Sequence, residues 1–429
     1  MSLNKLSIFE LQSLIQKKEI KVSELVKDCI SQISDRDEQV KAWVDFNSND
    51  ALKNAELIDN QDQLLGPLHG IPVGMKDIID VSGISCSRGS IIYSNRIATT
   101  DAHIVSLIKG AGSFVLGKTI TTEFASGNPN VTCNPHNLDY TPGGSSSGSA
   151  AAVADYMVPY AFGTQTAGSM IRPAAFCGIP AIKPSFGTIS RAGLSYVADS
   201  LDTIGWFARD VRDLGIVYNA LTGNDVRFDK DGDLKKLKIG ICKTPDWDNA
   251  ENLIQDLFEE LEINLSQSNI QYDHVELPKE FSLLGEVQNR IMCKEMTFWL
   301  EDEWANHHSQ LSAYIIERLD FGKTISSEQI LLDNILLEHS RKKMTSLFDD
   351  YDFIITPSAP GPAPEGLLST GNSVFNRMWT ALHLPCVNIP IKKSENGLPI
   401  GVQIVGKFKN DATLLESAKF IQDFISEQY

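Results

Sequence analysis

Three short patterns in this sequence carry residue types that could do chemistry, and each implies a different enzyme. The first is GSFVLGKT at 112–119, which matches the phosphate-binding pattern GxxxxGK[ST]. Such a loop needs four flexible residues whose N–H groups turn inward. Here those four are Ser113, Phe114, Val115 and Leu116, which read as a buried strand, so the pattern is rejected as a nucleotide site. The second is GSSSG at 144–148, which matches the nucleophile elbow GxSxG with Ser146 as nucleophile. An elbow requires an apolar strand before it, whereas NLDYTP at 137–142 is polar and ends in proline. A Ser-His-Asp triad stays compatible with the eight histidines, and a plain Gly/Ser linker fits badly because an Ala-rich helix begins at once near Ser149. The third is a constellation: Lys76 in GIPVGMKDIIDV, Ser145 in GGSSSGSAAAVA, 69 residues on, and Ser169 in GTQTAGSMIRPAAFCGIPAIKPSFG, a further 24 residues on.

At these three segments the chain closely resembles the amidase signature family. Further agreements are LGKTITTEFA at 116–125, CNPHN at 133–137, SLDTIG at 200–205, FNRMWTALHLPCVNIP at 375–390 and GLPIGVQIVG at 397–406. They occur in the family's order and spacing over nearly the whole chain, most weakly over 225–345. The resemblance implies hydrolysis of a linear carboxylic amide to an acid and ammonia or an amine, through an acyl-enzyme. Amide hydrolysis needs a nucleophile, a proton shuttle to a poor leaving group, and charge stabilisation for the tetrahedral oxyanion. In the family's terms Ser169 is the nucleophile, Ser145 the relay, following a cis bond at Gly144–Ser145, and Lys76 the base. Small residues before Ser169 let successive N–H groups converge on one point, and the resemblance places the oxyanion hole at Thr166, Ala167, Gly168 and Ser169. Neither a metal nor a cofactor is called for.

Read locally, Lys76 has a simpler account as a surface lysine on an edge strand, paired with Asp77; the resemblance makes it the base. A lysine in water titrates at about 10.4, and only burial or a positive neighbourhood brings it into a range where it can accept a proton. The sequence departs from the usual family pattern at Ala167, which replaces the first glycine of TGGS. It departs also in SMIRP, where the cation is shifted by one residue, and at Tyr140, where many members carry arginine. The GTQT…S-x-IRP form resembles a small-amide hydrolase branch that includes malonamidase. Arg172, three residues after the nucleophile, is either a dock for a substrate carboxylate or half of an internal salt bridge to Asp202 or Glu123. Thr166 and Gln165 are further candidate substrate-binding residues, and the Thr166 hydroxyl could align the serines. Trp379, Phe375 and Met378 either line the pocket or pack. His136, His307 and His308 read as structural or exposed, and Cys177 as a small buried hydrophobe.

The elements that must position these residues follow from texture. Residues 6–60 read as helices, with Ser7 and Glu10 forming a capping box, Leu11, Leu14 and Ile15 sharing one face, and Leu25, Cys29 and Ile33 another. Short apolar runs such as 113–116 alternate with turns and Ala-rich helices such as 149–156, which makes 66–223 an α/β signature core. Residues 224–237 read as a solvated loop, 237–242 as a strand, and 247–345 as a mostly helical insertion. Strand-and-turn texture returns at 351–429 and closes with a helix from about Ala412. The expected architecture is a single domain over 1–429, in which a central mixed β-sheet is covered by helices on both faces.

Composition limits the partners. A net charge of −17 repels nucleic acid and anionic lipid, and no apolar run approaches a membrane span. The seven cysteines are scattered singly without a CxxC pair, which argues against a disulfide framework or zinc site. Residues 1–13 hold no apolar run of signal-peptide length, so a cytoplasmic setting is expected. A small-molecule amide is the expected partner, and a homodimer is left open. The family also includes the amidase component of the glutamine-dependent aminoacyl-tRNA amidotransferase, which feeds ammonia onto a charged tRNA with a partner subunit. Because the chain stops soon after its last family segment, at Tyr429, a stand-alone hydrolase is preferred to that component, and a non-catalytic binder is disfavoured because it would not need Lys76, Ser145 and Ser169 together.

Overall fold

The computed structural model describes residues 2–228 and 236–428; part of the predicted 224–237 loop therefore lies outside the described residues. Among the described residues eleven strands form one sheet: β1 (Trp43–Phe46), β2 (Pro72–Lys76), β3 (Phe114–Thr119), β4 (Tyr160–Gln165), β5 (Ala181–Lys183), β6 (Thr203–Phe207), β7 (Ile239–Ile241), β8 (Tyr272–His274), β9 (Phe353–Pro357), β10 (Cys386–Lys393) and β11 (Pro399–Gly406). Their spatial order is β1-β3-β2-β4-β6-β5-β10-β11-β9-β7-β8. β2 runs parallel to β3 and to β4, and β7 parallel to β8 and β9, while the remaining pairs are antiparallel, so the sheet is mixed. Every residue of β2, β4, β6, β9 and β11 is buried, which requires helices on both faces of the sheet. β5 pairs with β10, so the first α/β block and the C-terminal one share a single sheet.

The first helix, Ile8–Gln16, starts as its sequence predicts. The Ser7 hydroxyl accepts from Glu10 N, and the Glu10 carboxylate accepts from Ser7 N at 2.8 Å; such a cap stabilises a helix end by about 1 kcal/mol. Leu11 and Ile15 are buried beneath it. Residues 6–60 are not wholly helical: β1 interrupts them and pairs antiparallel with β3. Its sequence, WVDF, is aromatic and β-branched but too short to show a period. The 247–345 stretch holds the helices Asn252–Gln267, Leu284–Trp299, Ala313–Thr324 and Ser327–Leu347, plus the edge strand β8. The last helix begins at Asp411.

β2, β3 and β4 are parallel neighbours, so their C-terminal ends, Lys76, Thr119 and Gln165, lie along one edge. In α/β sheets that edge is where polar side chains can converge without interrupting the ladder. The helix Ser147–Ala154 lies against it. Its sequence SGSAAAVA is small because the helix is pressed onto its neighbours: a Cβ on Gly148 would come within 2.2 Å of Ala42 O and 2.5 Å of Ile120 N. That close approach sets the position of the segment just before it, residues 144–146.

Candidate active site

Lys76 ends β2 and has no exposed surface. Its Nζ lies 2.7 Å from Ser145 Oγ and 2.8 Å from Thr164 Oγ1. Burial in this low-dielectric setting holds the amine well below its ordinary value, opposed by the negative charge of Asp202. β2 is an interior strand, and Asp77 faces Lys118 rather than Lys76, which removes the edge-strand account. The Gly144–Ser145 peptide bond is cis. Its neighbours tie Ser145 to the start of the helix Ile171–Cys177: Arg172 Nη2 donates to Gly144 O, and Ser146 Oγ lies 3.8 Å from Met170 Sδ.

Ser169, directly before that helix, keeps 8% of its surface exposed. Its hydroxyl has no hydrogen-bond partner among the described residues, and Ser145 and Ser169 are not bonded to each other. The backbone N–H groups of Thr166, Ala167, Gly168 and Ser169 likewise have no acceptor among the described residues. Four consecutive free donors beside a free hydroxyl can bind an oxyanion. Gly168 is required there by space: a Cβ would stand 2.4 Å from Asn376 Oδ1 and 2.7 Å from Ser373 Cβ. Ala167, by contrast, accommodates its methyl.

The other sequence candidates are placed differently. The Gln165 side chain accepts from Met170 N at 2.9 Å and Ile171 N at 3.0 Å and donates to Thr380 Oγ1 at 2.9 Å, so it braces the loop. The Thr166 hydroxyl donates to Asp202 rather than to a serine; burial raises Asp202 to about 6. Arg172 pairs with neither Asp202 nor Glu123. Its guanidinium donates to Gly371 O at 2.9 Å, Thr370 Oγ1 at 3.1 Å and Gly144 O, and burial lowers it to about 10. Phe375, Met378 and Trp379 pack in the core, and Cys177 is fully buried. Ser146, the elbow candidate, is fully buried and exchanges hydrogen bonds with the Thr164 backbone at 3.2 Å. The GKT of the phosphate-loop pattern is strand β3, with Lys118 buried 3.1 Å from Asp77 and donating to Ile79 O at 2.7 Å. Among the described residues no group of three His, Cys, Asp or Glu side chains is arranged to hold a metal ion, and no helix is long and apolar enough to cross a membrane.

Sequence reasoning missed Thr164, which lies on the same face of β4 as Tyr160 and Phe162. A hydroxyl breaking that aromatic alternation is the signal that could have found it. It also missed Arg318 and Arg377. Both influence the titration of Arg172, and Arg377 Nε donates to Ser373 Oγ at 3.1 Å, beside Gly168. Arg318 stands in no quoted pattern and Arg377 is not marked out within the family segment at 375–390; they lie 149 and 208 residues beyond Ser169.

The buried lysine–serine pair at the parallel-strand edge and the free donors before Ser169 supply the groups that acyl-transfer hydrolysis requires. The chain belongs to the amidase family, whose sequence pattern matches residues 24–415, and it is an amidohydrolase of that family. It is similar to a glutamyl-tRNA(Gln) amidotransferase subunit of Agathobacter rectalis, 31% identical over 472 residues that cover 97% of this chain and 93% of the relative. Among solved structures it resembles the corresponding glutamyl-tRNA(Gln) amidotransferase subunit from Thermotoga maritima (26% identity, TM-score 0.80, covering 97% and 94% of the two chains). It also resembles the native peptide amidase from Stenotrophomonas maltophilia (25% identity, TM-score 0.81, covering 99% and 96%). The A. rectalis protein is matched over nearly its whole length, so where this chain stops does not favour a stand-alone enzyme over a component of an assembly.

Proposed function

We propose that this chain cleaves the carboxamide of a small, carboxylate-bearing molecule, with Lys76 as base, Ser145 as relay and Ser169 as nucleophile. The carrying observation is the 2.7 Å contact between the fully buried Lys76 and Ser145. A buried lysine shifted toward the neutral amine can take the Ser145 proton, and Ser145 in turn that of Ser169. Ser169 Oγ attacks the amide carbon. The oxyanion is met by the N–H groups of residues 166–169, and the proton returns along the chain to the leaving nitrogen. Water then hydrolyses the acyl-enzyme by the same relay.

The carboxylate preference is supported by charge. The charges of Arg377 and Arg318 both act on Arg172, that of Arg318 also acts on Arg377, which Asp246 opposes, and none of the three forms an ion pair among the described residues. Arg318 lines a cavity of about 270 Å³ with Asn289, Cys293, Tyr314, Phe321 and the exposed Glu317. Guanidinium groups that act on Arg172, three residues after the nucleophile, and form no ion pair among the described residues favour an anionic substrate. The Nη groups of Arg172 already hold Gly144 O, Gly371 O and Thr370 Oγ1, while its buried Nε has no partner among the described residues.

The likeness to the amidotransferase proteins supports a second reading over the stand-alone one expected from sequence. In it the same amide cleavage serves transfer within an assembly with partner chains, and glutamine is an amide of the required class. The test is ammonia release from malonamate, propionamide, benzamide, glutamine and indoleacetamide. Ser169→Ala should abolish it, Ser146→Ala should leave it within about threefold, and Arg318→Leu should raise KM about 10-fold or more for acidic amides only. Equal rates on acidic and neutral amides would remove the carboxylate preference. Activity that appears only with a co-purifying chain would establish the assembly reading.

A further inference from the structure

The geometry points to Gln288 and Thr380 as positioning residues that aim the oxyanion-binding N–H groups, an inference that rests on the proposed role of residues 166–169. A peptide group is planar, and in the trans form its C=O and N–H point to opposite sides. Among the described residues the only cis bond is Gly144–Ser145, so anchoring a carbonyl in the 166–169 loop fixes the direction of the next residue's N–H.

The carbonyls of Thr166, Ala167 and Gly168 are each anchored. Gln288 Nε2 donates to Thr166 O at 2.9 Å, which turns the Ala167 N–H away from Gln288. Thr380 Oγ1 donates to Ala167 O at 2.8 Å and thereby aims the Gly168 N–H. Arg172 N donates to Gly168 O at 3.1 Å, as the first bond of the following helix, and sets the Ser169 N–H. The N–H groups left over are those without acceptors.

Both residues are held for this task. Gln288 is fully buried on the helix Leu284–Trp299, and its Oε1 has no partner among the described residues, so Thr166 O and, at 3.7 Å, Met292 Sδ anchor its amide. Turning the amide over would set oxygen against oxygen. Thr380, on the helix Val374–Ala381, has one hydroxyl proton and two acceptors in reach, Ala167 O and Asn376 O at 3.1 Å, the first being closer. Gln165 Nε2 occupies a lone pair of the same hydroxyl at 2.9 Å, which restricts its rotation. Neither Gln288 nor Thr380 needs to touch the substrate. They act through the loop, from a helix of the insertion and from one of the C-terminal block.

The experiment measures kcat and KM for an amide that the wild type cleaves, together with inhibition by a boronic acid, which forms a tetrahedral adduct on a serine, and by the free product acid. Gln288→Met removes a donor, and Thr380→Val a donor together with the acceptor of Gln165 Nε2, each with little change of shape. Each should lower kcat about 10- to 100-fold with KM within about threefold. Boronate affinity should fall in step with kcat/KM while product-acid affinity holds, and Thr380→Ser should restore the wild-type rate. If Gln288→Met does not fold, Gln288→Glu tests the same bond. A change in KM alone, product-acid affinity falling as far as boronate affinity, a Thr380→Ser variant as slow as Thr380→Val, or kcat within twofold of wild type in both donor-deleted variants would overturn the assignment while leaving the Ser169 mechanism standing. Retention of activity in Ser169→Ala would overturn that mechanism and this inference together.

Discussion

Replacing Gly168 with alanine tests the oxyanion loop most directly. A Cβ at that position would sit 2.4 Å from Asn376 Oδ1 and 2.7 Å from Ser373 Cβ, where real contacts essentially never fall below 3.0 Å. Clearing the nearer contact needs a displacement of about 0.6 Å. Asn376 yields little, because its Nδ2 is tied to Ser358 O at 3.0 Å within the core, so the loop takes most of the shift. Misplacing reacting groups by 1 Å lowers rates about 100-fold, so about 0.6 Å across the Gly168 and Ser169 donors should lower kcat/KM about 10- to 50-fold, or about 1.4–2.3 kcal/mol of transition-state stabilisation. The assay is steady-state ammonia release, with the thermal midpoint measured alongside to show that folding is intact. Adding Asn376→Ala removes the nearer obstruction and should recover part of the loss, the Ser373 contact remaining. A Gly168→Ala enzyme within threefold of wild type would refute the claim that this loop is positioned to sub-ångström tolerance.

The pH dependence follows from Lys76 and Asp202. Because burial depresses Lys76 below 10.5, kcat/KM should rise as pH climbs through the depressed value and then level, and Lys76→Ala should remove that limb. The unfolded chain carries the lysine proton that the native one has lost, so native stability also rises with pH between the depressed value and 10.5. Asp202→Asn deletes the charge that opposes this depression, so the activity midpoint should move to lower pH and any inflection at about 6 from Asp202 itself should vanish; a shift to higher pH would contradict the assignment. Lys118→Met leaves Asp77 buried and unpaired, and denaturant titration should show a loss of about 3–5 kcal/mol; a neutral result would mean that the pair is dispensable.

Much of this protein was legible in its sequence for local reasons. The Ser7 cap, the buried strand at 113–116 and the small-residue helix after Ser147 each follow from residue types within one or two turns of the chain. The polar run before Gly144 argued against an elbow, and Ser146 is indeed packed away against the Thr164 backbone. The Lys76, Ser145 and Ser169 segments could be picked out only because they resemble those of the amidase signature family in order and spacing. What tertiary structure decided is how partners distant in the chain meet. Thr164 reaches Lys76 because β2 and β4 are parallel neighbours, and Asp202 rather than a serine receives the Thr166 hydroxyl. Arg172 holds the carbonyls of Gly144 and Gly371 rather than Asp202 or Glu123 because residues 144 and 370–371 fold back over it. Gln288 carries no motif, and Thr380, though inside the family segment at 375–390, is not marked out within it, since a single side-chain donor to a backbone carbonyl leaves no periodic trace in the sequence. Residue type and spacing determine which groups are available for chemistry; the directions of hydrogen bonds and the depth of burial, which set pKa and donor aim, exist only once the sheet has brought its strands together.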